Sequence, residues 1–382
     1  MIRWARERLG DTMAEFAKRM DVKEMRVVAW ENGDAFMTYN QIKRLADQSL
    51  LPVGLLFLES PPNLSLGLAD FRSFENKTSA SRAPSPELYA VVSSMKYRQG
   101  WYREYLKENG CEPLSYVGSL TLRSPVADAV GILHEVLQWD DETVNLCKDW
   151  ESYFDKLTTA MEDVAGILVM RNSVVENNTS RRLNLHEFRG FALSDEYAPL
   201  VFVNAADSKG AQLFTLVHEA VHILLNEGGI SNNNLAENVH AHAVERYCNA
   251  VAGEFLVEEK ALKAHWAEVS SREKDWLKRL SDLSRQFKLS RQVILHRCQS
   301  LDLIPQPVAQ FLWTELKNAE AARITSGKGN FYAILKNRVS RLFARMVIAE
   351  NESGNISFTD AFRLLSVNSP EALRKLSVAV GV

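Results

Sequence analysis

The stretch Lys209–Asn226 has almost no polar face, and this constrains the chain more than any other feature. Phe214, Leu216, Val217, Val221, Ile223 and Leu224 lie all round its helical axis, so a helix here must be buried on nearly every side. Into that helix the sequence sets His218, Glu219 and His222. Residues four apart share one helical face, so both imidazoles reach toward one point. Buried imidazoles and a carboxylate need partners. A metal ion supplies them; a core helix with internally satisfied histidines is the plainer alternative. Zinc is the expected ion. Glu219 then stands beside the metal rather than on it, placed to take a proton from water.

A catalytic zinc takes three protein ligands and leaves one position for water. The longer motif that ends in a third histidine is excluded, because Leu225 and Gly228 stand where Gly and His are required. The third ligand is therefore expected on a second helical stretch, Asn238–Val257, beyond the Gly/Asn-rich segment Gly228–Asn234. Glu237, His240, His242, Glu245 and Glu254 are the candidates. Glu245 is preferred, since Asn249, Ala252 and Gly253 follow it and small residues allow close helix approach; His242, one turn earlier, is the alternative.

The remainder bounds the molecule. The 382 residues, 46% apolar and 24% charged, provide a sizeable core and suggest two or three domains. The longest apolar run, Leu50–Leu58, is interrupted by Pro52 and falls well short of the ~20 residues of a membrane span. Arg3, Arg6, Glu7 and Arg8 with no apolar run behind them do not read as a secretory signal. Cys111, Cys147, Cys248 and Cys298 are widely spaced without a CxxC pair, so neither a disulfide framework nor a Cys-type zinc site is expected. The cytoplasm is the default compartment. Ile167–Met170 and Leu200–Val203 read as buried strands, and Arg189–Leu193 as a third weakened by its glycine. Residues 1–60, Ser85–Asn109, Val126–Leu137 and everything from Ala261 onward read as helical, apart from a loop at Gly327–Asn330.

His218-Glu-Ala-Val-His222 followed by Glu245-Arg-Tyr-Cys-Asn-Ala-Val-Ala-Gly-Glu-Phe-Leu256 resembles the ImmA/IrrE-type metallopeptidases. Phe188–Leu193, Pro199–Asn204, Phe214–His218 and Leu289–Arg297 are similar to further segments of that family, so the resemblance spans most of residues 150–300. It implies zinc on His218, His222 and Glu245. The family's proline after the second motif is absent here, where Val257 leads into Glu258. Met13–Met20, the Asp21–Val22 turn and Trp30–Gly33 resemble Xre/Cro-type helix-turn-helix modules. In such modules the helix after the turn enters the DNA major groove, which makes Lys23 and Arg26 the expected DNA contacts. Residues 1–50 carry nine basic and eight acidic residues, so DNA binding is expected to be weak, or to need a homodimer that pools two surfaces. A helix-turn-helix kept for protein contacts is the alternative. More basic still are residues 272–298, with eight Lys/Arg against three Asp/Glu, and 323–345, with six basic residues and no acidic one. Nucleic acid, an acidic partner or simple solvation would each account for that.

The fold expected is α+β and mostly helical. It comprises a helix-turn-helix bundle at 1–64, a helical connector at 65–149, a zincin-like core with a small sheet and two metal-binding helices at 150–262, and a helical region at 263–382. The expected activity is zinc-dependent endoproteolysis of a partner protein, which the resemblance implies is a repressor or antitoxin-like regulator. Glu219 would act as the catalytic base, Tyr247 or Arg189 as an oxyanion or substrate contact, and Arg189–Leu193 as the strand that receives substrate. No membrane partner is expected. The competing reading is a DNA-binding regulator or toxin–antitoxin component whose zinc is structural or sensory.

Overall fold

Four short helices open the chain: α1 (Ile2–Arg8), α2 (Met13–Met20), α3 (Glu24–Asn32) and α4 (Tyr39–Ser49). Thr12 and Thr38 begin α2 and α4 with capping boxes closed by Glu15 and Gln41, which satisfy amide groups the helix itself leaves open. Asp21, in the left-handed region at φ 57°, turns the chain between α2 and α3. Phe16, Met20, Val27, Trp30 and Leu45 form a small core of their own. The computed structural model describes the chain except residues 63, 65, 68, 71–83, 232–238, 322–334 and 336, and except the side chains at 69–70, 141, 230–231, 239–242, 317 and 320–321. The expected loop at Gly327–Asn330 lies outside the described residues.

After a 3₁₀ turn at Val53–Phe57 and the strand β1 (Ala69–Asp70) come α5 (Pro86–Glu108), α6 (Val126–Leu137), α7 (Asp141–Asn145) and α8 (Trp150–Thr159), which runs into a π-turn at Ala160–Val164. The strands β2 (Leu168–Asn172), β3 (Val174–Val175), β4 (Asn178–Arg182), β5 (Gly190–Leu193) and β6 (Leu200–Asn204) follow. Next are α9 (Lys209–Leu225), β7 (Gly229–Ser231) and α10 (Val239–Leu256). Helices α11 (Glu259–Arg272), α12 (Trp276–Phe287), α13 (Arg291–Ser300), α14 (Gln306–Ala321), α15 (Arg341–Glu352), α16 (Phe358–Leu365) and α17 (Pro370–Val380) complete the chain.

One mixed sheet runs in the order β1-β7-β5-β6-β2, with β2 parallel to β6 and β5 antiparallel to both β6 and β7. Alternation along the strands divides the interior in two. Val169, Ala192, Val201 and Val203 face a core built with α6, α8, α9, α10 and the helices up to α14. Leu168, Met170, Phe191, Leu193, Leu200 and Phe202 face α5 and the helices α15–α17. Helices on both faces explain why β6 is buried along its whole length.

Two expectations change. β5 is hydrogen-bonded on both sides, to β6 and to β7, so it has no free edge for a substrate strand. The Gly228–Asn234 segment, expected only to separate two helical stretches, holds β7. The basic stretch near the C-terminus is also less free than its charge suggests. Arg338 donates to Asn177 at 2.8 Å, Arg345 to Asp163 at 3.2 Å, and Arg341 is tied to Thr159 and Glu162. In the first stretch Arg272, Lys278, Arg285 and Arg297 pair with Glu268, Glu273, Asp282 and Glu254. Arg297, Arg338, Arg341 and Arg345 thereby tie separate elements together, whereas the Arg272–Glu268 and Arg285–Asp282 pairs lie within single helices. Among the described residues no helix is long and apolar enough to cross a membrane.

Candidate metal centre

The metal helix is buried because the sheet and its neighbours cover it throughout. Every described position of α9 from Gln212 to Leu225 is buried. Ser208 caps its start by accepting from the Ala211 amide, and Asn226 ends it in the left-handed region. Gly210 lets α13 lie against its first turn, since a Cβ there would stand 1.8 Å from Ser290 Oγ. Gly190 does the same for β5: a Cβ would meet Thr215 Cγ2 at 2.5 Å and Glu219 Oε1 at 3.0 Å. The residue that weakened the strand in sequence is thus what allows the sheet to pass over Glu219.

His218, Glu219, His222 and Glu245 are all at most 3% exposed. The two imidazole Nε2 atoms stand 3.1 Å apart. Glu245, from the facing helix α10, places Oε2 3.3 Å from His218 Nε2 and Oε1 3.2 Å from His222 Nε2. Each imidazole nitrogen faces a different Glu245 oxygen, and these spacings are close to the roughly 3.3–3.6 Å that separates donors bound at ~2.0–2.2 Å in a tetrahedron. His222 Nδ1–H donates to the Glu227 carbonyl at 3.1 Å, which leaves the Nε2 lone pair directed at the other donors. Burial pushes the Glu245 carboxyl up, but the two imidazoles outweigh it and hold the group down at about 2. A carboxylate and two imidazoles withdrawn from water converge on one point, and that donor set suits a divalent cation.

The other sequence candidates fall elsewhere or outside view. Glu237 lies outside the described residues, as do the side chains of His240 and His242. Glu254 is held by Arg297. Tyr247, two residues past Glu245, is turned about 200° round the helix and lies within electrostatic reach of Asp128 on α6. Arg189 pairs with Asp207 ahead of α9. Lys23 and Arg26 are exposed at the start of α3, with the Arg26 guanidinium 5.9 Å from the Trp30 ring centre.

Two neighbours escaped the sequence reading. Cys248 brings a sulfur within 4.8 Å of ligand nitrogens of both His218 and His222; its signal was the spacing of three from Glu245, which puts both on one face. Burial, reinforced by Glu245 and Glu219, pushes its thiol well up. His218, His222 and Cys248 thus form a second possible donor set beside the one completed by Glu245. His296 of α13 sets its ring 5.2 Å from that of Phe214, which lies 6.3 Å from the His218 ring; nothing in its helical surroundings marked it out.

No curated protein and no solved structure matches the chain. Residues 339–377, which span α15 to α17, match the family model Domain of unknown function (DUF8813). Residues 162–299 match the peptidase M78 family model, described as an IrrE N-terminal-like domain. The cluster lies wholly inside that segment, and the match supports a peptidase of the ImmA/IrrE type for this part of the chain.

Proposed function

We propose that the chain is a zinc-dependent metalloendopeptidase that cleaves a partner protein, a repressor or antitoxin-like regulator, in regulated proteolysis. The observation that carries this reading is the triangle of His218, His222 and Glu245 donors with Glu219 buried one residue along the same helix. His218, His222 and Glu245 would hold the zinc, which would supply a Lewis acid and activate water near neutral pH. Glu219 is not one of the three donors, so its carboxylate is available to take the proton of the attacking water and return it to the leaving amine. Gly190 keeps β5 close above that carboxylate and limits its rotamers. A structural zinc would not need Glu219.

The test is metal content together with cleavage. Purified protein should hold about one zinc per chain. Glu245→Ala should lose it, while Cys248→Ala should retain it. Glu219→Gln should keep the metal and lose at least ~10²-fold in cleavage of the partner co-expressed from the adjacent gene, the scale of a missing general base. A metal-free protein, or full activity in Glu219→Gln, would overturn the reading. Zinc lost from the Cys248 variant and kept by the Glu245 variant would overturn the ligand assignment alone.

A further inference from the structure

A cavity of about 210 Å³, away from the metal cluster, lies where the outer strand β2 meets α8, its π-turn and the start of α15. Phe154, Asp155, Thr158, Glu162, Arg171 and Arg341 line it. Five charged residues line it: Arg341 and Glu162 pair with each other, Glu151 lies 3.6 Å from Lys209, and Arg171 and Asp155 have no ion pair among the described residues. Arg341 gives its backbone N–H to Glu162 Oε1 at 3.2 Å and its guanidinium to Thr159 Oγ1, with Nε 3.7 Å from Glu162 Oε2. Arg171 has its guanidinium 4.7 Å from the Phe154 ring centre. Among the described residues it has no ion-pair partner, and its Nε is buried without a hydrogen-bond acceptor. Asp155, the first acidic group acting on it, is exposed and likewise carries no ion pair among the described residues.

Thr158 Oγ1 is buried with no hydrogen-bond partner, while Glu162 Oε2 has the Arg341 Nε at 3.7 Å. Arg171 Nε and Thr158 Oγ1 line one cavity, and a cation and an anion without ion pairs among the described residues face the same space, which matches a ligand that carries both charges. A simple anion would face Asp155 and Glu162, and a simple cation would face two arginines. Phe154 and Val169 form the apolar part of the wall.

We propose that this cavity binds a free apolar α-amino acid, with its carboxylate on Arg171, its ammonium on Asp155 and its side chain against Phe154 and Val169. A planar guanidinium stacked on an aromatic ring is well suited to a bidentate carboxylate. Arg341 belongs to the segment 339–377 and Arg171 to the segment 162–299, so the ligand occupies the joint between the two matched segments.

The test is calorimetric titration of the full chain with L-leucine, leucinamide, 4-methylpentanoate and inorganic phosphate. Leucine should bind. Removing either charge should weaken binding about tenfold or more, the scale of one charge-assisted hydrogen bond. Arg171→Gln should abolish carboxylate recognition. Asp155→Asn, an exposed change that leaves the fold intact, should weaken leucine and leave 4-methylpentanoate unchanged. No heat with leucine at millimolar concentration would overturn the proposal. So would phosphate binding as well as leucine, which marks a bare anion site, or leucine binding that Asp155→Asn does not alter.

Discussion

Gly190 shows how one residue links sheet, helix and chemistry. Its missing side chain brings the start of β5 against Thr215, the Phe202 carbonyl and Glu219. A methyl group there would overlap a β-branched side chain at 2.5 Å and a backbone oxygen at 2.9 Å, and backbone atoms do not move aside cheaply. Gly190→Ala should therefore cost about 1–3 kcal/mol of stability, as overpacking does, and should displace Glu219 without touching the donors. Denaturant unfolding and zinc retention check both parts. Stability should fall while the metal stays, and proteolysis should drop by more than the folded fraction does. Unchanged stability would show that β5 rides higher above α9 than the contacts imply.

At the scale of elements, the paired helices were legible because their sequence is exceptional: histidines and a carboxylate stand where only apolar residues are expected. β2 and β6 were legible as β-branched runs. β7 was not, because three residues in a Gly/Asn-rich run carry no period and acquire strand character only by pairing with β5. The role of Arg341 was equally hidden, since charge counts cannot show that its partner is Glu162 of the π-turn, 179 residues away. Burial pushes the Glu162 carboxyl up from 4.5 to about 6, against the pull of Ser340 and Arg341. A carboxyl with a raised folded-state pKa binds its proton more tightly when folded. Its contribution is full below pH 4.5 and is lost as the pH rises through 6. The loss across that window is about 2 kcal/mol. Unfolding free energies measured at several pH values should show this decline in the parent and not in Glu162→Gln. The same slope in both proteins would place the ionisation elsewhere.

On the scale of the whole molecule, the N-terminal helices raise a question of charge against shape. They dock on the rest of the chain through Arg181, which pairs with Glu87 at 2.9 Å and donates to the Gln48 carbonyl, and through Arg8 over the Tyr89 ring at 4.8 Å. This docking leaves α3 outward. The outward surface is not the basic one a DNA reader needs: Met25 is 82% exposed, Phe36 87% and Tyr39 66%, beside Glu24 and only two cations, Lys23 and Arg26. Phosphate contacts supply most DNA affinity, whereas exposed apolar side chains gathered on one module suit a protein partner. The basic residues near the C-terminus give little help, since those described are largely committed to internal partners. Duplex DNA should accordingly bind weakly and be lost well before physiological salt. Lys23→Ala with Arg26→Ala should leave the slope of log affinity against log salt nearly unchanged, whereas a fall of roughly two, one per phosphate contact, would mark both as DNA contacts. A salt series on the parent and this double variant decides the matter. Tight binding that survives physiological salt and collapses in the double variant would make α3 a DNA reader, and a shallow slope unchanged by the substitutions would leave its apolar face as the working surface.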